Sequence, residues 1–274
     1  MIVQTAAHGA PRFIITMAEH TSFAGQLARL FGNDRFEPVE PREEMLYLID
    51  HHDQGWRELD AEAPMDPKTR LPYHLVETPL EKIIKTSERS PSLNSERHPY
   101  CGLLSSMHTW GLYNGRYGLS DMVLLDSISE ELRPLVQAML DGELERQKRL
   151  KAQLAARPDT AEWIEEPRLM QNYKQLQFFD TAALYFQMRH EEARGAARFD
   201  HVPLNAEEDV EVAVTRQAPG VYGFAPFPFG QDGVEVSFTG RYLAPLAKDD
   251  DRDLAAVLAA LPESSQTVKL VADK

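Results

Sequence analysis

The chain has 274 residues, 43% of them hydrophobic, which is enough for one large domain or for one domain with a smaller appendage. Its 29 Lys and Arg residues against 43 Asp and Glu give a net charge of −14, which argues against nucleic-acid polymers and anionic membranes as partners. The single cysteine, Cys101, excludes an internal disulfide and a cysteine-rich zinc site. We find neither an apolar run of membrane-span length nor a secretory signal, so we expect a soluble, cytoplasmic protein.

Most of the chain carries the signals of helices. Thr16, followed by Glu19 three residues later, is a capping-box pattern that predicts a helix ending near Gly32. Pro41 is suited to a first helical position and predicts a second helix through the segment EEMLYLIDHHD. Further helices are predicted at 79–88, 99–113, 128–156 and 168–189.

The composition changes after residue 205. Residues 209–246 alternate between apolar and polar side chains with Gly and Pro between the segments, which predicts an antiparallel hairpin or small sheet. A short closing helix is predicted at 253–261. We therefore expect a mainly α fold in two parts, a helical body at 1–205 and a small C-terminal antiparallel β unit with its closing helix at 206–274, packed on the body.

Polar side chains on the apolar faces of the predicted helices are the candidate functional residues. Residues three, four or seven positions apart share a helix face, and by this spacing three histidines and two aspartates point where apolar neighbours point. A buried aspartate costs several kcal/mol unless it is paired or binds a metal, and no Lys or Arg shares the face of either aspartate. Histidines and aspartates that converge from different helices are natural ligands of a divalent metal. The five residues are His20, His52, Asp53, His108 and Asp180.

Each of these residues also has a plainer interpretation. A lone histidine on an apolar face is usually a hydrogen-bonded core residue, and a lone aspartate is more often a cap or a hydrogen-bond anchor. The joint occurrence of His20, the His52-Asp53 pair and Asp180 favours the metal interpretation. The other histidines outside this region, in loops or near helix ends, are predicted to be solvated: His8, His74, His190 and His201.

The order of the candidate ligands resembles the signature of the HD-domain superfamily: a histidine, a His-Asp doublet that ends a helix, and a distant aspartate in a later helix. Here the signature reads His20, His52-Asp53 and Asp180, and Gly55 follows the doublet like the family's glycine turn. The similarity looks closest to an uncharacterised, mainly bacterial family related to the HD proteins. It spans about residues 1–246 and is carried by the segments FIITMAEHTSFAGQLARLFG, IDHHDQGW, LLSSMHTWGLY, LQFFDTAALYF and PFPFGQDGVEVSFTGRYL.

This resemblance implies an all-α, HD-like helical bundle and a metal-dependent hydrolase that acts on a phosphate ester or a nucleotide-like small molecule. It implies one or two divalent ions of Fe, Mn, Zn or Ni. Asp53 is the implied catalytic residue, because it would bind or bridge the ions and hold the activated water. The implied metal ligands are His20, His52, Asp53, His108 and Asp180.

Two more histidines are additional candidate ligands. Binuclear HD proteins recruit histidines between the doublet and the last aspartate, an interval that holds His98 and His108. A straight helix would separate these two by about 15 Å, so both can join only if His98 folds back at Pro99. His51 lies beside the ligand face and is interpreted mainly as a hydrogen-bonded neighbour.

The chain also departs from the HD pattern. Many HD hydrolases have a lysine soon after the doublet, where this chain has Trp56. Two other functions therefore stay open: an HD-type di-iron oxygenase, which would use both extra histidines, and a non-catalytic metal- or ligand-binding protein. A homo-oligomer built through the long charged helices is open as well. Candidate phosphate-binding cations elsewhere in the chain are Arg57, Arg89, Arg97 and Lys174.

Overall fold

The computed structural model describes residues 1–7 and 9–273, which form helices and strands in alternating blocks. The first long helix begins where the capping box predicts it, since the Thr16 hydroxyl accepts a hydrogen bond from the Glu19 N–H. The closing helix predicted at 253–261 is confirmed as well. The helices are α1 (Met17–Leu30), α2 (Arg42–His51), α3 (Arg57–Glu62), α4 (Leu80–Arg97), α5 (Pro99–Tyr113), α6 (Gly115–Gly118), α7 (Arg133–Ala155), α8 (Glu166–Met188) and α9 (Leu254–Ala260).

Strands from both ends of the chain form one curled sheet in the described residues. The strand order is β1-β2-β6-β7-β5-β4-β3, and only the β5–β7 pair is parallel. Gly240 in β6 is required by the close approach of β2, because a Cβ there would lie 2.5 Å from the Ile14 carbonyl oxygen. The strands are β1 (Ile2–Val3), β2 (Arg12–Ile15), β3 (Ala197–Pro203), β4 (Asp209–Ala218), β5 (Val221–Ala225), β6 (Val234–Leu243) and β7 (Ser264–Ala272).

The expectation of a mainly α, all-helical HD-like bundle with a small C-terminal β unit is wrong. The sheet has seven strands in the described residues. Its N-terminal strand β1 pairs with β2, and β2 pairs with β6 more than 200 residues later. Such a pairing leaves no local trace in the sequence, because each short strand alone is also typical of an extended approach to a helix. The predicted division at residue 205 falls between β3 and β4 of this one sheet.

Helices and sheet pack together in the largest of three hydrophobic clusters in the described residues. Helix α1 packs against α2, α8 and β6, and α8 also packs against β3. Phe23 of α1 meets Phe186 of α8 and Phe238 of β6 edge to face, with ring centroids 5.8 and 5.1 Å apart. This aromatic packing fixes α1 against α8, the two helices that carry His20 and Asp180. None of the described helices combines the length and the apolar character needed to cross a membrane.

Candidate metal centre

Four helices bring the five predicted ligands together. His20 lies on α1, His52 is the C-cap of α2 with Asp53 next to it, His108 lies on α5 and Asp180 on α8. His20 and His52 are completely buried. One donor atom from each residue places them in two groups whose atoms lie within 4.8 Å of one another, and both groups contain His52. The groups are His20, His52 and Asp180, and His52, Asp53 and His108.

The turn after the doublet is held close to α4. The Gly55 N–H donates a 2.9 Å hydrogen bond to the Ser90 hydroxyl, and a Cβ at Gly55 would lie 2.4 Å from the Thr86 carbonyl oxygen. Only glycine permits this approach without displacing α4. The glycine of the DHHDQGW segment therefore fixes where α2 ends and where Asp53 leaves the helical path.

The contacts of His20 direct one ring nitrogen into the centre. Its Nδ1 lies 2.8 Å from the side-chain oxygen of Gln187, which can only accept a hydrogen bond, so Nδ1 carries a proton. Its Nε2 lies 3.0 Å from Oδ1 of Asp180. If the ring is neutral, the lone pair of His20 Nε2 faces a lone pair of Asp180 Oδ1. This arrangement requires a further proton or a cation between the two atoms.

His52 is oriented in the same way. Its Nδ1 donates a 2.9 Å hydrogen bond to the Ile49 carbonyl oxygen. Its Nε2 lies 3.8 Å from both Asp53 Oδ2 and Asp180 Oδ1 and has no hydrogen-bond partner among the described residues. Metal-binding histidines characteristically donate the other ring N–H to a carbonyl or carboxylate oxygen, as both of these histidines do.

His108 completes a row of three imidazoles. The ring centroids of His20 and His52 are 5.5 Å apart, and those of His52 and His108 are 5.3 Å apart. His108 Nδ1 lies 2.9 Å from the amide nitrogen of Gln177, whose Oε1 has no partner among the described residues. A half-turn of this amide would let Oε1 accept from Nδ1–H and would leave His108 Nε2 free to bind a metal.

Burial and the two carboxylates set the charges of the centre. Burial would lower the pKa of His52, but Asp53 and Asp180 outweigh it and raise that pKa to about 9. Burial would raise the pKa of Asp180, yet the adjacent His20 and His52 hold it well below its usual range. Burial lowers the pKa of His108 to about 4, which keeps this ring neutral near pH 7. Ionised aspartates and neutral imidazole are the forms that bind metals. Asp180 and His108 are therefore in the binding form near pH 7, whereas His52 would release a proton when an ion binds.

The residues present fit a divalent transition-metal ion. Neither aspartate forms an ion pair with Lys or Arg within the described part of the chain; their ion-pair contacts are with histidines. His52 Nε2 is buried and has no hydrogen-bond partner in either protonation state. Without a proton, its lone pair has no donor, and with a proton, its N–H has no acceptor within hydrogen-bond distance. The donor set is nitrogen and oxygen, which suits Zn, Fe, Mn or Ni. Cys101 is not in either group and hydrogen-bonds the Glu44 carbonyl oxygen.

The two additional candidates lie outside both groups. His51 Nδ1 bonds to the Tyr47 carbonyl oxygen one turn back, and the two rings stack with centroids 4.2 Å apart. His98 caps α5, where its Nδ1 accepts from the Tyr100 N–H, and its ring lies against Trp163. The structure therefore brings His108 into the centre but not His98.

The remaining predicted histidines and cations lie away from the centre. His74 is half-buried rather than solvated, His190 and His201 lie near the surface, and His8 is outside the described residues. Three of the four candidate phosphate-binding cations pair with carboxylates on the surface, and the fourth is exposed. The pairs are Arg89–Glu58, Arg97–Glu43 and Lys174–Asp209, and the exposed residue is Arg57.

A cavity of about 420 Å³ opens beside the centre. Asp53 and His108 line it, together with residues of α4, α5 and the loops 75–78 and 124–132. A larger cavity of about 720 Å³ lies at the end of α8, near His74 and Arg194, and contains none of the five candidate ligands. Of these two cavities, only the smaller one is lined by candidate ligands.

Sequence reasoning missed the two glutamines that orient His20 and His108. Gln177 and Gln187 lie three residues before and seven residues after Asp180, on the same face of α8. The sequence signal that could have identified them is their spacing, since it places both amides on the helix face that carries the candidate ligand Asp180.

The comparisons with known proteins establish a family but no activity. Residues 1–245 match the model of the family described as "Protein of unknown function (DUF3891)", and the chain belongs to this family. No curated protein and no solved structure matches the chain.

Proposed function

We propose that this protein is a metal-dependent hydrolase of a small phosphate ester, with one or two divalent ions of Fe, Mn, Zn or Ni. The supporting observation is the orientation of His20 and His52, whose Nδ1 atoms both donate to carbonyl oxygens while their Nε2 atoms face Asp180. The resemblance of the residue order to the HD signature supports the same class of reaction. The ligands in this proposal are His20, His52, Asp53, His108 and Asp180.

The five residues differ in whether they line the cavity, and this difference sets their proposed roles. A divalent ion bound here would polarise an ester oxygen and lower the pKa of water. His20, His52 and Asp180 are buried and act as fixed ligands. Asp53 keeps 19% of its side-chain surface exposed and lines the cavity, so it can accept the proton of the attacking water. His108, which also lines the cavity, is positioned to contact the substrate as well as a metal.

Metal content is the primary test. We expect elemental analysis of the purified protein to find a transition metal, and we expect the paired substitution His52→Ala, Asp53→Ala to remove it, because His52 belongs to both groups. His51→Ala is the matched control, since His51 is the next residue but lies outside both groups. Unchanged metal content in the paired variant would contradict the assignment.

Hydrolysis is tested separately on the metal-loaded protein. Asp53→Asn should lower the rate on a phosphate-ester substrate by about 10²–10⁴-fold, the range expected when a general base is lost. Metal-loaded protein that is inactive on a broad panel of phosphate esters would contradict the hydrolase proposal. Two irons per chain together with oxygen consumption would indicate the di-iron oxygenase. A bound metal with neither hydrolysis nor oxygen consumption would indicate a non-catalytic binding protein.

A further inference from the structure

The wall of the cavity beside the metal centre is apolar. Apart from Asp53 and His108, most of its side chains are aliphatic or aromatic, contributed by α4, α5 and two loops. Val76 and Leu124 at its rim are 65% and 36% exposed, so the apolar wall continues to the protein surface. Other apolar residues of the wall are Trp56, Leu75, Leu80, Ile83, Leu112 and Ile128.

Four of the seven hydroxyl groups that line the cavity form hydrogen bonds within the protein. Thr78 donates to the His74 carbonyl oxygen and Thr109 donates to that of Ser87. Ser127 donates to the Leu124 carbonyl oxygen, and Ser90 accepts from the Gly55 N–H. The remaining hydroxyls are those of Ser87, Tyr113 and Ser129. A ligand with many hydroxyl groups would therefore find fewer hydrogen-bond partners here than apolar contacts.

The cavity also lacks the cations that a polyphosphate needs. Among residues 1–7 and 9–273, those that line it include no Lys or Arg. The cations of α4 that lie closest in sequence, Lys82, Lys85 and Arg89, line a different cleft. With Asp53 and Asp180 already in the centre, only the metal could balance a phosphate, and a di- or triphosphate would leave several negative charges unpaired.

We propose that the substrate, within the hydrolase function proposed above, is a phosphate ester of an apolar, uncharged alcohol whose hydrocarbon part occupies this cavity. A volume of about 420 Å³ is within the range of sites that enclose small organic ligands. Hydrolysis of such an ester breaks the bond between phosphorus and the alcohol oxygen. Water supplies the new oxygen on phosphorus and the proton on the alcohol, so inorganic phosphate and the free alcohol are released.

The first test measures binding of the apolar alcohol alone. We expect 1-naphthol, which has no phosphate, to bind the metal-loaded full chain in a calorimetric titration. Leu112→Asn, which introduces an amide into the cavity wall, should weaken this binding about tenfold. Leu144→Asn is the matched control, because Leu144 is on the exposed face of α7, outside the cavity. Circular dichroism and metal content should be unchanged in both variants.

The second test compares two alkyl esters of equal charge and similar leaving group, 1-naphthylmethyl phosphate and glycerol phosphate. We expect kcat/KM to be at least about tenfold higher for the naphthylmethyl ester in the wild type, and Leu112→Asn to lower it mainly through KM. Equal or faster hydrolysis of glycerol phosphate would overturn the inference and leave the hydrolase proposal standing. No hydrolysis of either ester, with 1-naphthol binding that depends on Leu112, would overturn the hydrolase proposal while the apolar site stands. Absence of 1-naphthol binding, or binding that Leu112→Asn leaves unchanged, would overturn the apolar site.

Discussion

At the scale of single residues, the amides on α8 decide which ring nitrogens face the centre. The side-chain oxygen of Gln187 accepts a hydrogen bond from His20 Nδ1–H, and this contact leaves His20 Nε2 as the atom directed at Asp180. A histidine whose second ring nitrogen is held in this way is already oriented for a metal, so its side chain loses less conformational entropy when an ion binds. The tautomer is thus set by a residue that binds no metal itself.

Replacing Gln187 should weaken metal binding without removing a ligand. We expect Gln187→Leu to lower metal affinity about 10–100-fold, the range found when a partner of a metal-binding histidine is lost. Gln175→Leu is the matched control: Gln175 is also buried on α8, but its amide donates to the Glu37 carbonyl oxygen, away from the centre. Competition with a chelator of known affinity would measure both variants. Equal losses in the two variants would show that Gln187 acts only through the general packing of α8.

A second residue-scale prediction concerns His74, which the sequence places in a solvated loop but the structure half-buries. Its Nδ1 accepts a 3.0 Å hydrogen bond from the Val3 N–H, and burial lowers its pKa from 6.5 to about 4. Between these values the unfolded chain binds a proton that the folded protein does not. The stabilisation is therefore complete above pH 6.5 and is lost as the pH falls toward 4.

The effect of His74 is measured as a difference between two proteins. We expect the free energy of unfolding in urea to fall between pH 7.5 and pH 5 by about 1–2 kcal/mol more in the wild type than in His74→Asn, after allowance for solvent screening. The asparagine offers an oxygen for the Val3 N–H but does not titrate in this range. The same pH dependence in both proteins would exclude His74 as its source.

At the scale of elements, β7 joins the two halves of the sheet. It lies between β6 and β5, and its inward side chains Val268 and Leu270 belong to the same core cluster as Phe23 and Phe186. The family model ends at residue 245, before this strand begins. The segment beyond the family match is therefore part of the core in this protein.

Substitutions in β7 should show this dependence. We expect Leu270→Ala, at a completely buried position, to lower the free energy of unfolding by about 2–4 kcal/mol. Its neighbour Lys269 points to solvent, and Lys269→Ala should cost less than about 0.5 kcal/mol. Urea denaturation of both variants makes the comparison. Similar small effects would mean that β7 is only loosely attached to the core.

The element scale also explains which parts of the fold the sequence could predict. Helix α1 was predictable because its cap, Thr16 with Glu19, and its apolar face lie within one segment. Strand β7 carried an alternating signal in Thr267–Leu270, but nothing local indicates that it inserts between β6 and β5. The pairing of the strands in residues 2–15 could not be predicted for the same reason, because the partner of β2 lies far along the chain at Arg241–Leu243. Side-chain periodicity reports which face is buried and not which strand is adjacent.

At the scale of the whole molecule, the candidate site was more predictable than the architecture around it. The helical spacing placed His20, His52 and Asp180 on inward faces, and the structure brings these faces together. A helix face depends on residues a few positions apart, whereas the sheet depends on segments hundreds of positions apart. The cavity wall was not predictable for the same reason, since Trp56, Leu75, Leu112 and Ile128 come from separate segments.

The candidate ligands come from α1, α2, α5 and α8, so binding of a metal would depend on the whole fold. An ion held by these four helices binds the folded chain and not the unfolded one, so it should stabilise the fold by about 3–4 kcal/mol at 100 to 1,000 times its dissociation constant. We therefore expect chelation to lower the melting temperature by about 5–10 °C. Asp180→Asn, which removes the buried carboxylate beside His20 and His52, should abolish the response to chelator while keeping the fold. A wild-type melting temperature that neither chelation nor added metal changes would show that the four helices hold together without an ion.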